Sequence, residues 1–444
     1  MQLDTVRATS FLARTSLREH VIWLALVVSL GFAFRLAWVA FTDWQPLPDD
    51  DAFRYDFAAR ALANGEGYIH LDGSPTAFWP PGYPLLLATA YRLFGEHIAV
   101  AQFMNVVLGT ATVGLTYLIG RRTLGATPAV VGASIVAFFP SLIFFTGVTL
   151  SEVTFTFLAL LGVYLLILEA SQGPERNLGL LIGAGFVLGL ATLTRGQALF
   201  LPLVMVPFWL RTGLTGPHVI ERLVAIALGI GLIVAPWTIR NTIELDVPVF
   251  ISTNAGIDLW IGHHEGANGS GGLTAGRDLV FSHPELDSVA REVRVNSDGM
   301  RQAIAYGVTH PRQELMLPFQ KLFWLLYNDE EGLKWNDGHG GQSFLSGGAR
   351  HGLVALSNIY YFAMLAMVVL GVRLWFSTKD AGKVLLISIV SYWLLIHMVF
   401  FGDPRFHAPI MPIAALLAAP ALVSLWAGKE PWIRPGDPPH IEAH

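Results

Sequence analysis

The chain has 444 residues, 53% of them hydrophobic and 14% charged, with a formal net charge of −5 and no cysteine, and its mean hydropathy is +0.52. A soluble domain carries roughly 25% charged residues, so the composition specifies a multi-pass membrane protein. The missing cysteines exclude disulfides, thiolate nucleophiles and zinc–thiolate sites, and the weak overall charge gives no footing for a nucleic-acid partner.

A spanning helix needs about 20 apolar residues, and ten candidates follow along the chain: 21–41, 97–119, 128–146, 153–170, 178–193, 198–211, 222–239, 352–374, 384–401 and 408–427. The fifth and sixth are short and flank Thr192-Leu193-Thr194-Arg195-Gly196, which predicts a broken or re-entrant pair. The expected fold is an all-α bundle of about ten transmembrane helices, with further helices lying along the interface and a small outer segment. No internal repeat of the kind that marks many secondary transporters is visible.

Basic residues set the orientation. Arg7, Arg14, Arg18, Arg121, Arg122, Arg176, Arg211, Arg222, Arg373, Lys379, Lys383, Lys429 and Arg434 fall on one side, where basic residues outnumber acidic ones; the other side is acidic. The first is then cytoplasmic and holds both termini, with an active site outside the cytoplasm in the cell (inner) membrane. The expected division is a transmembrane module over 1–240 containing an outer loop at 43–95, an extracytoplasmic segment at 241–350, transmembrane helices over 351–427 and a cytoplasmic tail at 428–444. The first apolar run is too long for a cleavable signal peptide and lacks a small-residue cleavage site.

Within the first span, Arg35 must snorkel outward or find a carboxylate. Beyond it comes Pro48-Asp49-Asp50-Asp51-Ala52-Phe53-Arg54-Tyr55. Three consecutive carboxylates beside a bilayer call for acid/base chemistry or a bound divalent cation. An aspartate caps a helix over 51–63 that closes at Asn64-Gly65, and Asp51, Arg54 and Tyr55 share one face of it. Phe78-Trp79-Pro80-Pro81-Gly82-Tyr83-Pro84 forms a stiff aromatic lip, in which Trp79 and Tyr83 suit the headgroup layer.

Further polar groups sit at the outer ends of later spans. Glu152 opens the fourth, where a carboxylate is favoured as an N-terminal charge. Arg240-Asn241 closes the seventh after Pro236-Trp237, and Gly402-Asp403-Pro404-Arg405-Phe406-His407 forms a tight turn before the last. The 241–350 segment, Gly-rich over 266–276, reads as too irregular to carry chemistry but long enough to cover a site as a partly mobile lid. Its His263-His264-Glu265 run is an adjacent triplet of the kind that rarely converges on a metal.

These residues carry a resemblance. Asp-x-x-Arg-Tyr at 51–55, Trp-Pro-Pro-Gly-Tyr-Pro at 79–84, Leu-Ser-Glu at 150–152, Leu-Thr-Arg at 193–195, Pro-Trp-Thr-Ile-Arg-Asn at 236–241 and Asp-Pro-Arg-Phe at 403–406 follow in order. The chain resembles the bacterial protein-O-mannosyltransferase-like and aminoarabinose-transferase-like glycosyltransferases of the GT-C superfamily. The resemblance covers most of 21–427 and is weakest across 265–350. It implies a polyprenyl-phosphate-linked sugar donor, an acceptor on a lipid, glycan or protein, and surrounding membrane lipids, with no nucleotide sugar at the site. The family's first-loop aspartate falls on Asp51, but Ala52 stands where many relatives have a glutamate, so the base is one of Asp49, Asp50 and Asp51. Trp79 replaces a lysine of the aminoarabinose transferase, and the donor phosphate must find another cation.

Glycosyl transfer from a lipid phosphate needs a base for the acceptor proton and cations for the departing phosphate. Asp51 is the expected base, with Asp50 as its alternative and Glu152 orienting the acceptor or sharing its proton. Arg54, Arg240 and Arg405 are the expected phosphate ligands, because the guanidinium presents a fork of donors. Tyr55, Trp79 and Tyr83 line the pocket, and the anomeric configuration inverts. A polar-lipid transporter or flippase, or a non-catalytic scaffold of envelope assembly, is the competing reading. The transporter predicts charges near the bilayer midplane, where almost none are found.

Overall fold

A computed structural model describes residues 17–42, 44–48, 50–173, 175–337, 343–375 and 380–427. Asp49 and the 428–444 tail lie outside the described residues. The described chain is built of helices and contains no strand, only two isolated bridges, Ile69 with Pro75 and Ser270 with Gly402.

Among the described residues, seven helices are long and apolar enough to cross a membrane: Glu19–Phe41, Ile98–Thr123, Glu152–Ala170, Gly216–Leu245, Gly347–Arg373, Ala381–Val399 and Pro404–Trp426. All ten expected segments are found helical, but three are not straight spans. The third bends by 59° between Ala126–Ala137 and Pro140–Gly147. Pro140 cannot continue the preceding helix, since its ring clashes with the carbonyl one turn back and it donates no N–H. The fifth and sixth are the shorter helices Leu178–Thr194 and Gly196–Arg211, parted where Arg195 turns extended at φ −152°, ψ 125°.

The bend explains Arg35, which neither snorkels nor meets a carboxylate. It is buried, donating from Nη1 to the carbonyls of Gly31 and Ala137 at 3.0 Å and from Nη2 to Val136 at 3.1 Å. A helix end leaves its last carbonyls without intrahelical donors, and in a membrane only protein groups can supply them. The short Leu178–Thr194 helix is fixed by close backbone contact: a Cβ on Gly185 would come within 2.2 Å of the Ile226 carbonyl oxygen. Small residues permit such approach where lipid offers no hydrophobic drive between helices.

Two polar segments pack together at one end of the bundle. Arg240 donates from Nη1 to the Thr76 carbonyl and from Nη2 to the Tyr68 carbonyl, both at 2.7 Å, so it ties the 68–76 strap to the end of its own span. Glu292 of the Ser288–Thr309 helix receives the Ala77 N–H at 2.9 Å and the hydroxyls of Thr76 and Thr253 at 2.6 and 2.5 Å, with His70 Nε2 at 2.7 Å. These partners hold its carboxyl below the usual glutamate range against the opposing effect of burial. One buried carboxylate thus joins the first polar segment to the second.

Candidate active site

Two neighbouring aspartates take different positions at the start of the Asp51–Asn64 helix. Asp50 is the N-cap in extended conformation, accepting the Phe53 N–H at 2.6 Å and the Leu47 N–H at 3.3 Å. Gly65 ends the helix in the left-handed region at φ 80°, a conformation that suits a residue without Cβ. Capping occupies Asp50. Asp51, one residue on, turns instead toward the bundle, and its Oδ2 accepts from Arg405 Nη1 at 2.7 Å.

Arg405 lies on the 3-10 turn Pro404–Ile410, and its own N–H is capped by the Asp403 side chain at 2.9 Å. Its Nε donates to Glu152 Oε1, and its guanidinium lies over the Trp335 ring at 5.0 Å. Glu152, at the start of its span, also accepts from Arg195 Nη1 at 2.8 Å, and the same Nη1 reaches Ser151 Oγ at 3.2 Å. Arg195 sits over Phe406 at 4.9 Å. Four chain segments therefore meet in one network running Asp51, Arg405, Glu152, Arg195. Among the described residues, neither Nη2 of Arg195 and Arg405 nor Oδ1 of Asp51 makes a hydrogen bond. Glu152 is almost wholly buried, whereas the Asp51 side chain keeps 37% of its surface.

Aromatic rings back the network. Tyr55, one turn beyond Asp51, meets Tyr83 edge-on at 5.3 Å and Trp79 at 6.4 Å. Burial, and secondarily the neighbouring Asp51 carboxylate, push the Tyr55 hydroxyl up to about 12, so it remains protonated and able to donate. Tyr83 is fully buried and supports the wall from behind, while Trp79 is half-buried.

Of the residues expected from sequence, the fold brings together Asp51, Glu152, Arg405 and the three aromatic residues. Arg54 is half-buried on the next turn of the Asp51 helix. Arg240 is held at the 68–76 strap. His263 pairs through Nδ1 with Glu314 at 2.9 Å, and its Nε2 lies 2.6 Å from the Val399 carbonyl and 2.9 Å from Lys321 Nζ. Its neighbour His264 instead faces the Trp260 carbonyl.

Sequence reasoning ranked one group low and passed over another. Arg195, visible in the Leu-Thr-Arg motif at the helix break, stands in the sequence only as a reserve phosphate ligand beside Lys321, behind Arg54, Arg240 and Arg405. Asp258 carried no signal: it lies on the Ala255–Gly262 helix of the segment read as too irregular for chemistry. The packing nevertheless brings Asp258 within charge range of Asp51 and Arg195. Burial, then the Asp51 charge, push its carboxyl up to about 7, with Arg195 opposing.

Residues 79–239 match the family model for dolichyl-phosphate-mannose-protein mannosyltransferase. An uncharacterized protein of Aquifex aeolicus is 30% identical over 177 residues, 38% of this chain and 33% of that protein. Among solved structures, the archaeal oligosaccharyltransferase AglB of Archaeoglobus fulgidus, in complex with an inhibitory peptide and a dolichol-phosphate, superposes with a TM-score of 0.55 at 15% identity, over 91% of this chain and 50% of that one. Its apo form gives a TM-score of 0.57 at the same identity and coverage. The chain thus spans half the length of the oligosaccharyltransferase and a third of the Aquifex protein. Together with the apolar helices, the likeness shows an integral membrane protein with the fold of the GT-C glycosyltransferases.

Proposed function

We propose that this protein is a membrane glycosyltransferase that moves a sugar from a polyprenyl-phosphate donor to an acceptor hydroxyl, with Asp51 as general base and Arg195 and Arg405 as phosphate ligands. The observation that carries this reading is the network of Asp51, Arg405, Glu152 and Arg195, in which a half-exposed carboxylate adjoins two guanidiniums held by a buried glutamate. The match to the mannosyltransferase model over 79–239 includes Glu152 and Arg195 and supports the same chemistry. So does the dolichol-phosphate in the AglB complex.

The roles follow from geometry. Oδ2 of Asp51 is engaged by Arg405, which leaves Oδ1 for the acceptor hydroxyl proton. The acceptor oxygen attacks the anomeric carbon as its bond to the phosphate oxygen breaks, and the Nη2 groups of Arg195 and Arg405 meet the charge that gathers on the phosphate. Glu152 orients both arginines. A base on the face opposite the leaving phosphate inverts the anomeric carbon. The acceptor class is a hydroxyl on a lipid, glycan or protein, and the charge asymmetry of the chain supports a site on the outer face of the inner membrane.

The test supplies purified full-length protein in lipid nanodiscs with radiolabelled dolichyl-phosphate-linked mannose or glucose and an envelope extract as acceptor. Label leaves the lipid with wild type and stays on it with Asp51→Asn. Equal transfer by both proteins rejects the assignment.

A further inference from the structure

Two buried polar atoms beside the network have no hydrogen-bond partner among the described residues. Arg35 commits Nη1 and Nη2 to the carbonyls of Gly31, Ala137 and Val136, and its Nε is left over. Glu152 commits Oε1 to both Arg195 and Arg405, and its Oε2 is left over. One atom is a donor and the other an acceptor. Leaving either unpaired in the protein interior is costly.

Both residues line one cavity. Its volume is about 20 Å³, and it lies between the first span, the Ile98–Thr123 span and the start of the Glu152–Ala170 span. Its other polar side chains are Thr112 and Thr156, whose hydroxyls donate to the Leu108 carbonyl at 2.9 Å and the Glu152 carbonyl at 2.7 Å. Each hydroxyl therefore still has a lone pair with which to accept. Gly109 forms the wall at the Arg35 end, where a Cβ would fall 3.0 Å from Nε. A water molecule needs roughly 10–15 Å³ and about two to four polar partners. This cavity has room for one, with a guanidinium N–H to donate to it, a carboxylate oxygen to accept from it and hydroxyl oxygens for its second hydrogen.

We infer that this cavity is the binding site of a structural water that bridges Arg35 Nε to Glu152 Oε2, and that Arg35 acts through it as a positioning residue of the site. The positioning role rests on the phosphate reading above; the bridge itself does not. Glu152 holds both phosphate-binding arginines on Oε1 alone, so any rotation of its carboxylate moves the two guanidiniums together. The water fixes the second oxygen and with it the plane of the carboxylate. It also couples a third guanidinium to the cluster. Arg35, Arg195 and Arg405 outnumber the carboxyls of Asp51 and Glu152, so positive charge is in excess whatever the protonation of those two, and an arriving phosphate meets an attractive field.

The test replaces Gly109 in the full chain, which reaches the cavity while leaving Arg35, Glu152 and their protein partners in place. Gly109→Ala fills the space of the water with a methyl group. Gly109→Ser has the same Cβ and adds a hydroxyl that can donate to Glu152 and accept from Arg35 as the water does. Thermal unfolding and binding of dolichyl phosphate in detergent are measured for wild type, both variants and Arg195→Gln, with binding read at a temperature where all four are folded. Gly109→Ala should bind about 10-fold more weakly, the weight of one hydrogen bond to a charged group, and unfold about 2–4 °C lower. Gly109→Ser should recover most of both losses. If the two variants behave alike, whether as wild type or equally impaired, the water bridge is overturned. If Gly109→Ala unfolds early but binds as wild type does, while Arg195→Gln binds weakly, the positioning role is overturned and the phosphate reading stands. If Arg195→Gln binds as wild type does, the phosphate reading and the positioning role fall together, and recovery of the unfolding temperature by serine decides the bridge.

Discussion

The Glu152–Ala170 span carries a buried glutamate at each end, about 25 Å apart by helical rise, and the two ends have different fates. At one, Glu169 and Arg222 form an ion pair at 3.0 Å with both side chains fully buried. At the other, Glu152 divides one oxygen between Arg195 and Arg405, and Arg405 is shared onward with the half-exposed Asp51. The first pair is sealed from any ligand. The second is an open chain of charges in which guanidinium and carboxylate atoms remain available. A buried ion pair in a membrane protein is therefore not evidence of a site. The distinguishing features are charges shared among more than two groups and polar atoms left without partners where a ligand can reach.

Breaking the sealed end should act on stability and not on chemistry. Arg222→Met leaves Glu169 as an unpaired buried charge, and loss of one partner of such a pair is worth about 3–5 kcal/mol. Thermal unfolding in detergent should show that loss, while the doubly neutral Arg222→Met, Glu169→Gln protein recovers most of it. A single mutant as stable as wild type would show that water reaches this pair.

At the open end the largest effect falls on turnover. Asp51→Asn should lower glycosyl transfer by at least about 10²-fold, the scale of general-base catalysis, in protein that stays monodisperse and keeps its unfolding temperature. A drop in unfolding temperature to match the drop in rate would move Asp51 into the structural class with Glu169.

Next in size is the phosphate contact. Arg195→Gln should weaken binding of polyprenyl phosphate by roughly 1.5–3 kcal/mol, the range for hydrogen bonds to charged groups. Arg240→Gln should change stability and leave lipid binding intact, because its donors already serve the Tyr68 and Thr76 carbonyls. Equal binding losses for the two would erase the distinction between network and strap arginines.

The smallest effect concerns the aspartate beside the base. Asp50→Asn should leave transfer near wild type, since asparagine caps a helix as well as aspartate does, whereas Asp50→Ala should reduce stability by about 1 kcal/mol. Loss of transfer in a stable Asp50→Asn protein would exchange the roles of the two residues.

Much of this architecture is local and therefore readable along the chain. Apolar stretches of spanning length marked every helical segment of the bundle, because the bilayer leaves the backbone few other ways to satisfy its hydrogen bonds. Asp50, Asp51 and the Asn64-Gly65 stop defined the start and end of the first interfacial helix, since caps act within a few residues. The order of short motifs pointed to Asp51, Glu152 and Arg405. Tertiary packing alone decided the partners. It left Asp51 for Arg405, 354 positions away, and it brought Arg35 to the carbonyls at the Pro140 bend of the third span. It also took Arg240 to the strap and brought Arg195 to Glu152. Charge pairing depends on which helix ends meet in space, and hydrophobic periodicity in a chain apolar all round carries little information about that.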